Sequence, residues 1–457
     1  MAYRASAPDW RVRGRPLFRL QATLIGFLCF SASAVPRLLP ALLGVLALVA
    51  AIHVLAVDPK RPLKLLRTSV GIALAVFIAY LFINATWAPD RPAGFAKAAG
   101  VLGLTAAVFL IAASYCLRSD SDARVLAKSA LIGLLIGAAF LLIELGFDEP
   151  IMRFVNNHIV QLLDITPKKA KVVHGEVTHL SAFILNRNVT SLVLLLIPAL
   201  LFTLALTAGT ARRVGLVALV AATATCVLVS ESGTSVVAFF VGALVLALAA
   251  LSLRATRMFL VGAWTVAVLL AVPLSALPYD LGWHHWTWLP PESVAARFYI
   301  WKQMADEVYK RPITGIGIRG TRALGVTLPP DAAKQRQTTD VMRGRRVPHA
   351  HNVFLQTWLE LGAIGAVLLL GVGLAALRQM RNLPPVLQGS SYALFATCFA
   401  IGVSGFDLWQ TWLLSAVALA WAAMLLATRL LALAPLKAAE ACPGKRRRKA
   451  ALRATIG

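Results

Sequence analysis

Residues Val347–Gly365 read VPHAHNVFLQTWLELGAIG, a passage that leaves a polar loop at two histidines and enters an apolar run. The run continues to residue 374, and at 1.5 Å per residue a helix of that length crosses the ~30 Å of bilayer hydrocarbon. Nine residues separate Asn352 from Gly362, and Gly365 follows. Gln356 and Glu360 stand about one and two helical turns beyond Asn352, and the glycines permit close approach of a neighbour. His351 and His349 therefore lie at the mouth of a span, beside a loop carrying Arg343, Arg345 and Arg346. An imidazole titrates near pH 6.5 and can accept a proton at neutral pH.

Working outward, the rest of the chain has the same apolar character. Of 457 residues, 59% are hydrophobic and 14% charged, and the mean hydropathy is +0.74. Those values exclude a set of soluble domains. Apolar runs recur near residues 18–35, 38–57, 68–84, 95–117, 126–147, 179–206, 213–230, 235–253, 258–277, 351–374, 389–406 and 409–430. They predict an all-α polytopic membrane protein of about twelve transmembrane helices. Residues 1–457 then form a single transmembrane domain, with one large loop at 278–350 and a basic tail at 436–457.

The net charge is +25. Much of the excess lies in short connections: Lys60, Arg61, Lys64 and Arg67; Arg118, Arg124 and Lys128; Arg212 and Arg213; Arg254 and Arg257; Arg378 and Arg381. With about twelve spans these fall on one side, together with the tail Lys445–Lys449. That is the positive-inside pattern, so both termini are expected in the cytoplasm and the 278–350 loop on the outer face. Membrane lipids, rather than nucleic acid, are the expected partners of these charges. The five cysteines, Cys29, Cys116, Cys226, Cys398 and Cys442, form no CxxC pair and read as small core residues.

Several residues outside the opening stretch have the chemistry of a site. Arg187 stands in Asn186-Arg187-Asn188, about eight residues into the expected sixth span, where a charge is costly and marks function by default. A helix is expected from Glu292, with Val294, Phe298, Trp301, Met304 and Val308 on an apolar face that Arg297 shares. Gly315-Ile316-Gly317-Ile318-Arg319-Gly320 matches GxGxxG but follows a helix with no βαβ unit around it. It reads as a turn presenting Arg319, not a dinucleotide site. His284 and His285 lie among Trp283, Trp286 and Trp288 with no third ligand in suitable spacing, so no metal is assigned. Glu231, in the turn Ser230–Ser235, suits a helix cap as well as a catalytic carboxylate. An imidazole base and planar arginine forks suit attack of a hydroxyl on a substrate whose leaving group is a phosphate.

His351-Asn352, the nine-residue spacing to Gly362 and the following Gly365 resemble the signature of the O-antigen ligase family. Arg297…Trp301 and Lys310-Arg311-Pro312-Ile313-Thr314-Gly315-Ile316-Gly317 are similar to the family's helix and turn ahead of that histidine, and Asn186-Arg187-Asn188 to its upstream polar element. The resemblance covers about residues 180–375. Ala366 and Val367 depart from it where threonines are expected, and Ser230–Ser235 lacks an expected arginine. It implies an inner-membrane glycosyltransferase. The enzyme moves a glycan from a polyprenyl-diphosphate donor to a hydroxyl acceptor, lipid A core for a ligase, on the periplasmic face. By the resemblance no cofactor, nucleotide sugar or metal takes part. His351 is then the base, and Arg187 and Arg297 hold the diphosphate, with Arg319 a weaker candidate; His349, outside that spacing, and Asn352 are expected to bind substrate beside them. An O-antigen or exopolysaccharide polymerase shares the donor site. A polysaccharide or lipid transporter would place broken or charged segments at mid-membrane in both halves, whereas here the polar features gather in the second half.

Overall fold

The structure, a computed structural model, describes residues 15–160, 170–173, 176–180, 182–286, 292–325 and 349–432. The basic tail, the arginines before residue 15, Lys168, Lys169, His174, Arg343, Arg345 and Arg346 lie outside the described residues.

Fourteen helices of ten or more residues make up the described chain: α1 Arg15–Ala34, α2 Leu39–Val57, α3 Ser69–Ala85, α4 Arg91–Leu117, α5 Asp120–Gly146, α6 Asn186–Leu206, α7 Gly209–Val229, α8 Gly233–Leu251, α9 Leu253–Leu269, α10 Ala271–Asp280, α11 Glu292–Val308, α12 Val353–Met380, α13 Pro385–Ser404 and α14 Thr411–Ala432. A hairpin of β1 Ala170–Val173 and β2 Glu176–Leu180 is the only sheet among the described residues. Ten helices are long and apolar enough to cross a membrane. The α9–α10 pair passes the same test as one span bent by 74°, and α3 is a shorter apolar helix of 17 residues. The protein is an all-α, multi-pass membrane protein, and these helices carry the apolar runs read from the sequence, the sixth from residue 186 onward.

The bundle is organised around α6. Its residues from Val189 to Phe202 are nearly all buried, inside a core shared with α1, α2, α5, α8, α13 and α14. Small residues let helices touch, as association within lipid requires. A Cβ at Gly133 of α5 would overlap the backbone of Gly26 of α1, and one at Gly242 of α8 would overlap Thr397 of α13.

Two features correct the sequence reading, and both shape the site. The sixth span does not begin near residue 179. Residues 176–180 form β2, pinned by Asn157, whose Nδ2 donates to Val177 O (3.2 Å) and whose Oδ1 accepts from Val177 N (2.8 Å). A 3-10 turn follows at Ala182–Leu185 and α6 starts at Asn186. Arg187 thus occupies the first turn of its helix, half-buried, rather than a position eight residues inside a span.

The second correction concerns α12, which is broken at Gly362 (φ 66°, ψ −167°), a left-handed region that favours glycine. The turn 312–317 fills the break. Ile316 N donates to Leu359 O (3.0 Å) and Gly317 N to Glu360 O (2.9 Å). Ala363 N and Ile364 N donate to Pro312 O (2.8 Å) and Ile313 O (3.3 Å). From α3, Asn84 Nδ2 donates to Glu360 O (3.2 Å) and Tyr80 Oη to Leu361 O (2.7 Å). Non-helical backbone at such depth is tolerated only where protein satisfies it. Gly315 and Gly317 are required here, because both have positive φ and a Cβ on either would overlap Glu360 or Ala88. The GxGxxG match is therefore the plug of a broken span.

Candidate active site

The helix ends nearest the break converge. Asn352 caps α12, its Oδ1 accepting from Phe354 N (3.0 Å) and Leu355 N (3.2 Å). That cap sets where the helix begins and leaves His351 immediately before it, with a left-handed backbone (φ 54°). Trp301 of α11 donates from Nε1 to Ala350 O (2.8 Å), which fastens the histidine loop to the face that carries Arg297 one turn earlier.

His351 Nδ1 lies 2.9 Å from Gly405 O, at the end of α13. A carbonyl can only accept, so the neutral ring carries its proton on Nδ1 and keeps its lone pair on Nε2. The His349 ring stands 4.1 Å away, centroid to centroid. Burial, and then the neighbouring His349, push His351 down to about 4, with Arg297 adding in the same direction. Burial likewise pushes His349 down. The His351 ring is therefore unprotonated across the neutral range.

Below the histidines lies a buried polar ladder. Gln356 Nε2 donates to Asp407 Oδ1 (2.8 Å) and Glu360 Oε1 (3.2 Å). Glu360 is fully buried and also accepts from Arg319 N (2.8 Å), Thr321 N (3.2 Å), Thr321 Oγ1 (2.6 Å) and Trp409 Nε1. One carboxylate thus gathers α12, the turn after Arg319 and the turn between α13 and α14. Arg322 approaches Asp407 Oδ2 at 3.9 Å.

Arg187 reaches the same turn from the other side. Its guanidinium carbon lies 5.9 Å from the Trp412 ring centroid, and Trp412 packs edge-on against Phe406, next to Gly405. Asn188 anchors that end of α6 by donating to Ser33 O (2.9 Å) and Ala34 O (2.8 Å).

The structure thus brings His349, His351 and Arg297 together beside Gly405 and sets Arg187 against Trp412, at the other end of the 405–412 turn. Arg319 is held by its backbone, with a left-handed φ of 63° and a half-buried side chain. The Asn352 side chain is committed to its cap and to Ser275 Oγ (3.4 Å). Glu231 does not cap α8; Ser232 does, and Glu231 O accepts from Asn186 Nδ2 (3.4 Å).

Against protein families, residues 198–370 match O-antigen ligase. Through this region the chain is similar to the O-antigen ligase family. Among curated proteins it is similar to chains provisionally named polysaccharide ligases. The protein from Rickettsia conorii is 32% identical over 127 residues, 27% of this chain and 29% of its own length. The one from Rickettsia typhi is 26% identical over 190 residues, 40% of this chain and 45% of its own. Each alignment therefore spans less than half of the relative.

The O-antigen ligase region contains Arg297, Arg319, His349, His351 and Asn352, while Arg187 lies before it. Sequence reasoning missed Gly405, Asp407 and Lys97. Lys97 Nζ donates to Trp409 O (3.0 Å) and lies in electrostatic reach of Arg319, Arg322 and Asp407. The signal was present in Phe406-Asp407-Leu408-Trp409-Gln410, an acid between aromatic residues in a short connection without lysine or arginine. Asn84 and Asn188 are buried anchors of the break and of α6.

Proposed function

We propose that the protein is a glycosyltransferase that moves a glycan from a polyprenyl diphosphate to a hydroxyl acceptor at the periplasmic face of the inner membrane. In this reading the acceptor is lipid A core. The observation that carries it is the Gly405 carbonyl on His351 Nδ1, which leaves Nε2 as a proton acceptor within electrostatic reach of Arg297.

The acceptor hydroxyl gives its proton to His351 Nε2 while its oxygen forms a bond to the anomeric carbon of the donor. The bond from that carbon to the diphosphate oxygen breaks, and the electron pair leaves with polyprenyl diphosphate. Arg187 and Arg297 suit the oxygens of that leaving group. Their planar forks bind two phosphate oxygens at once, and a half-buried site strengthens the pairing. Arg319, fixed by Glu360, adds positive potential beyond them. His349 lines the approach to His351, and Asn352 holds the register of the loop. The names of the relatives favour ligation over polymerisation.

The test is transfer by the purified full-length protein with lipid-linked glycan and lipid A core, followed by product identification. Glycan-bearing lipid A core with release of polyprenyl diphosphate supports the reading. Elongated lipid-linked glycan as the sole product replaces ligase by polymerase, and no transfer from the lipid-linked donor removes it.

A further inference from the structure

A second polar cluster lies away from the histidine site, where α5 gives way to the β-hairpin. Asp148 and Glu149 follow α5 and His179 lies on β2. Each offers one ligand atom, and these three atoms lie within 4.8 Å of one another. We propose that Asp148, Glu149 and His179 form a binding site for a divalent cation of the zinc class, which ties the end of α5 to the hairpin leading into Arg187.

The cluster is unusual in how little its charge is compensated. Glu149 is 3% exposed, and its Oε2 is buried with no hydrogen-bond partner. A buried carboxylate oxygen left so is costly and calls for a ligand. Asp148 and the fully buried Glu144 add negative charge nearby, although Glu144 is occupied by Ile151 N (2.8 Å) and Met152 N (3.2 Å). Facing them, Arg153 lies 3.5 Å from Asp148 Oδ2, and His179 Nδ1 lies 2.8 Å from Asp148 Oδ1.

The donor set selects the metal class. One imidazole nitrogen and two carboxylates suit zinc, whose ligands lie about 2.0–2.2 Å away. Ligand atoms around such a tetrahedral ion lie about 3.3–3.6 Å apart, so closing the site draws the widest pair together by up to about 1.5 Å. Calcium prefers six to eight oxygens at longer distances, more than these side chains supply. Asp148 and His179 are exposed, so water can complete the coordination. Binding requires His179 Nδ1 to give up its proton to solvent.

The site goes beyond the transfer chemistry and does not depend on it. Its role is mechanical: β2 runs directly into the 3-10 turn and the first residues of α6, so a metal clip there fixes where Arg187 begins.

The test uses the full chain in detergent, stripped with chelator and titrated with ZnCl2. Elemental analysis should find one firmly held zinc per chain, accompanied by a rise in melting temperature. Glu149→Gln and His179→Ala should each lose both, while His284→Ala/His285→Ala should keep them. Co2+ provides a readout without any variant, because binding to the wild type should alter its visible absorption from that of the aqueous ion. The proposal is overturned if wild type holds no more zinc than the Asp148→Asn/Glu149→Gln/His179→Ala protein, or if the Co2+ spectrum stays aqueous. A melting shift with Ca2+ and none with Zn2+ overturns the metal class. If Glu149→Gln in the absence of metal reproduces the stabilisation, the cluster is a proton-sharing carboxyl pair and the proposal fails.

Discussion

Two histidines stand at opposite ends of the bundle, each with an arginine nearby, and they are built for different ends. His53 lies inside α2 and is 5% exposed. Its Nδ1 meets Ser114 Oγ (3.1 Å), Ser114 accepts from Gln21 Nε2 (3.1 Å), and Arg118 donates to Gln21 Oε1 (2.7 Å) while lying over the Phe18 ring. Side chains supply that whole network, and His53 Nε2 is sealed within it without a partner. His351 instead stands on a loop with a left-handed backbone, partly open, its Nδ1 held by a backbone carbonyl. Similar residue types give a helix tie in one place and a base in the other. A fixed tautomer and an open second nitrogen make the difference.

The sharpest way to break this comparison is His351→Ala. We expect transfer to fall by about 10²–10⁴-fold with donor binding and folded yield nearly unchanged, the loss typical of a general base. Unchanged activity per folded molecule would put His351 in the same class as His53. Next in size are Arg187→Lys and Arg297→Lys. Each keeps its charge but loses the two-pronged fork, and we expect about 10–100-fold weaker donor use, on the scale of a charged hydrogen bond. If both lysine variants bind lipid-linked donor normally, the arginines do not hold the diphosphate.

The acid limb of kcat/KM sharpens the contrast further. The active form is the neutral imidazole, and its pKa is pushed down to about 4. Activity should therefore persist on acidification and be lost only as pH falls through about 4. At pH 5.5 an ordinary imidazole of pKa ~6.5 would leave only about 10% of the activity, against nearly all of it here. A limb near 6.5 would show that the ring is not desolvated when it works. The smallest effect is expected from His53→Ala, about 1 kcal/mol of stability from one hydrogen bond, read as a modest fall in melting temperature at constant specific activity.

Hydropathy carried most of the fold, because membrane spans announce themselves by length and composition. It also misled at the sixth span, since Val177, Leu180 and Ile184 extend an apolar run that the chain uses for a strand and a 3-10 turn. Hydrogen bonds from Asn157, far back in the sequence, decide that boundary, and no local pattern reveals them. The histidine, the two principal arginines and the glycine spacing were legible because their residue types are conspicuous beside apolar helices. Gly405 was not, since its part in the site is a backbone carbonyl. Glu360 was visible only as a polar position, because its role emerges when loops from three parts of the chain arrive at one carboxylate.

The break at Gly362 has a consequence for the order in which this protein is assembled. A regular span can enter lipid with its hydrogen bonds complete, but α12 cannot. Its open carbonyls and amides close only when Pro312–Gly317 has folded back and Tyr80 and Asn84 of α3 have docked. The same closing event brings Glu360 to Arg319 and seats the helix below His351. The end that carries His351 is thus finished only once these distant segments have met, so that a half-assembled chain in the membrane lacks an organised polar centre.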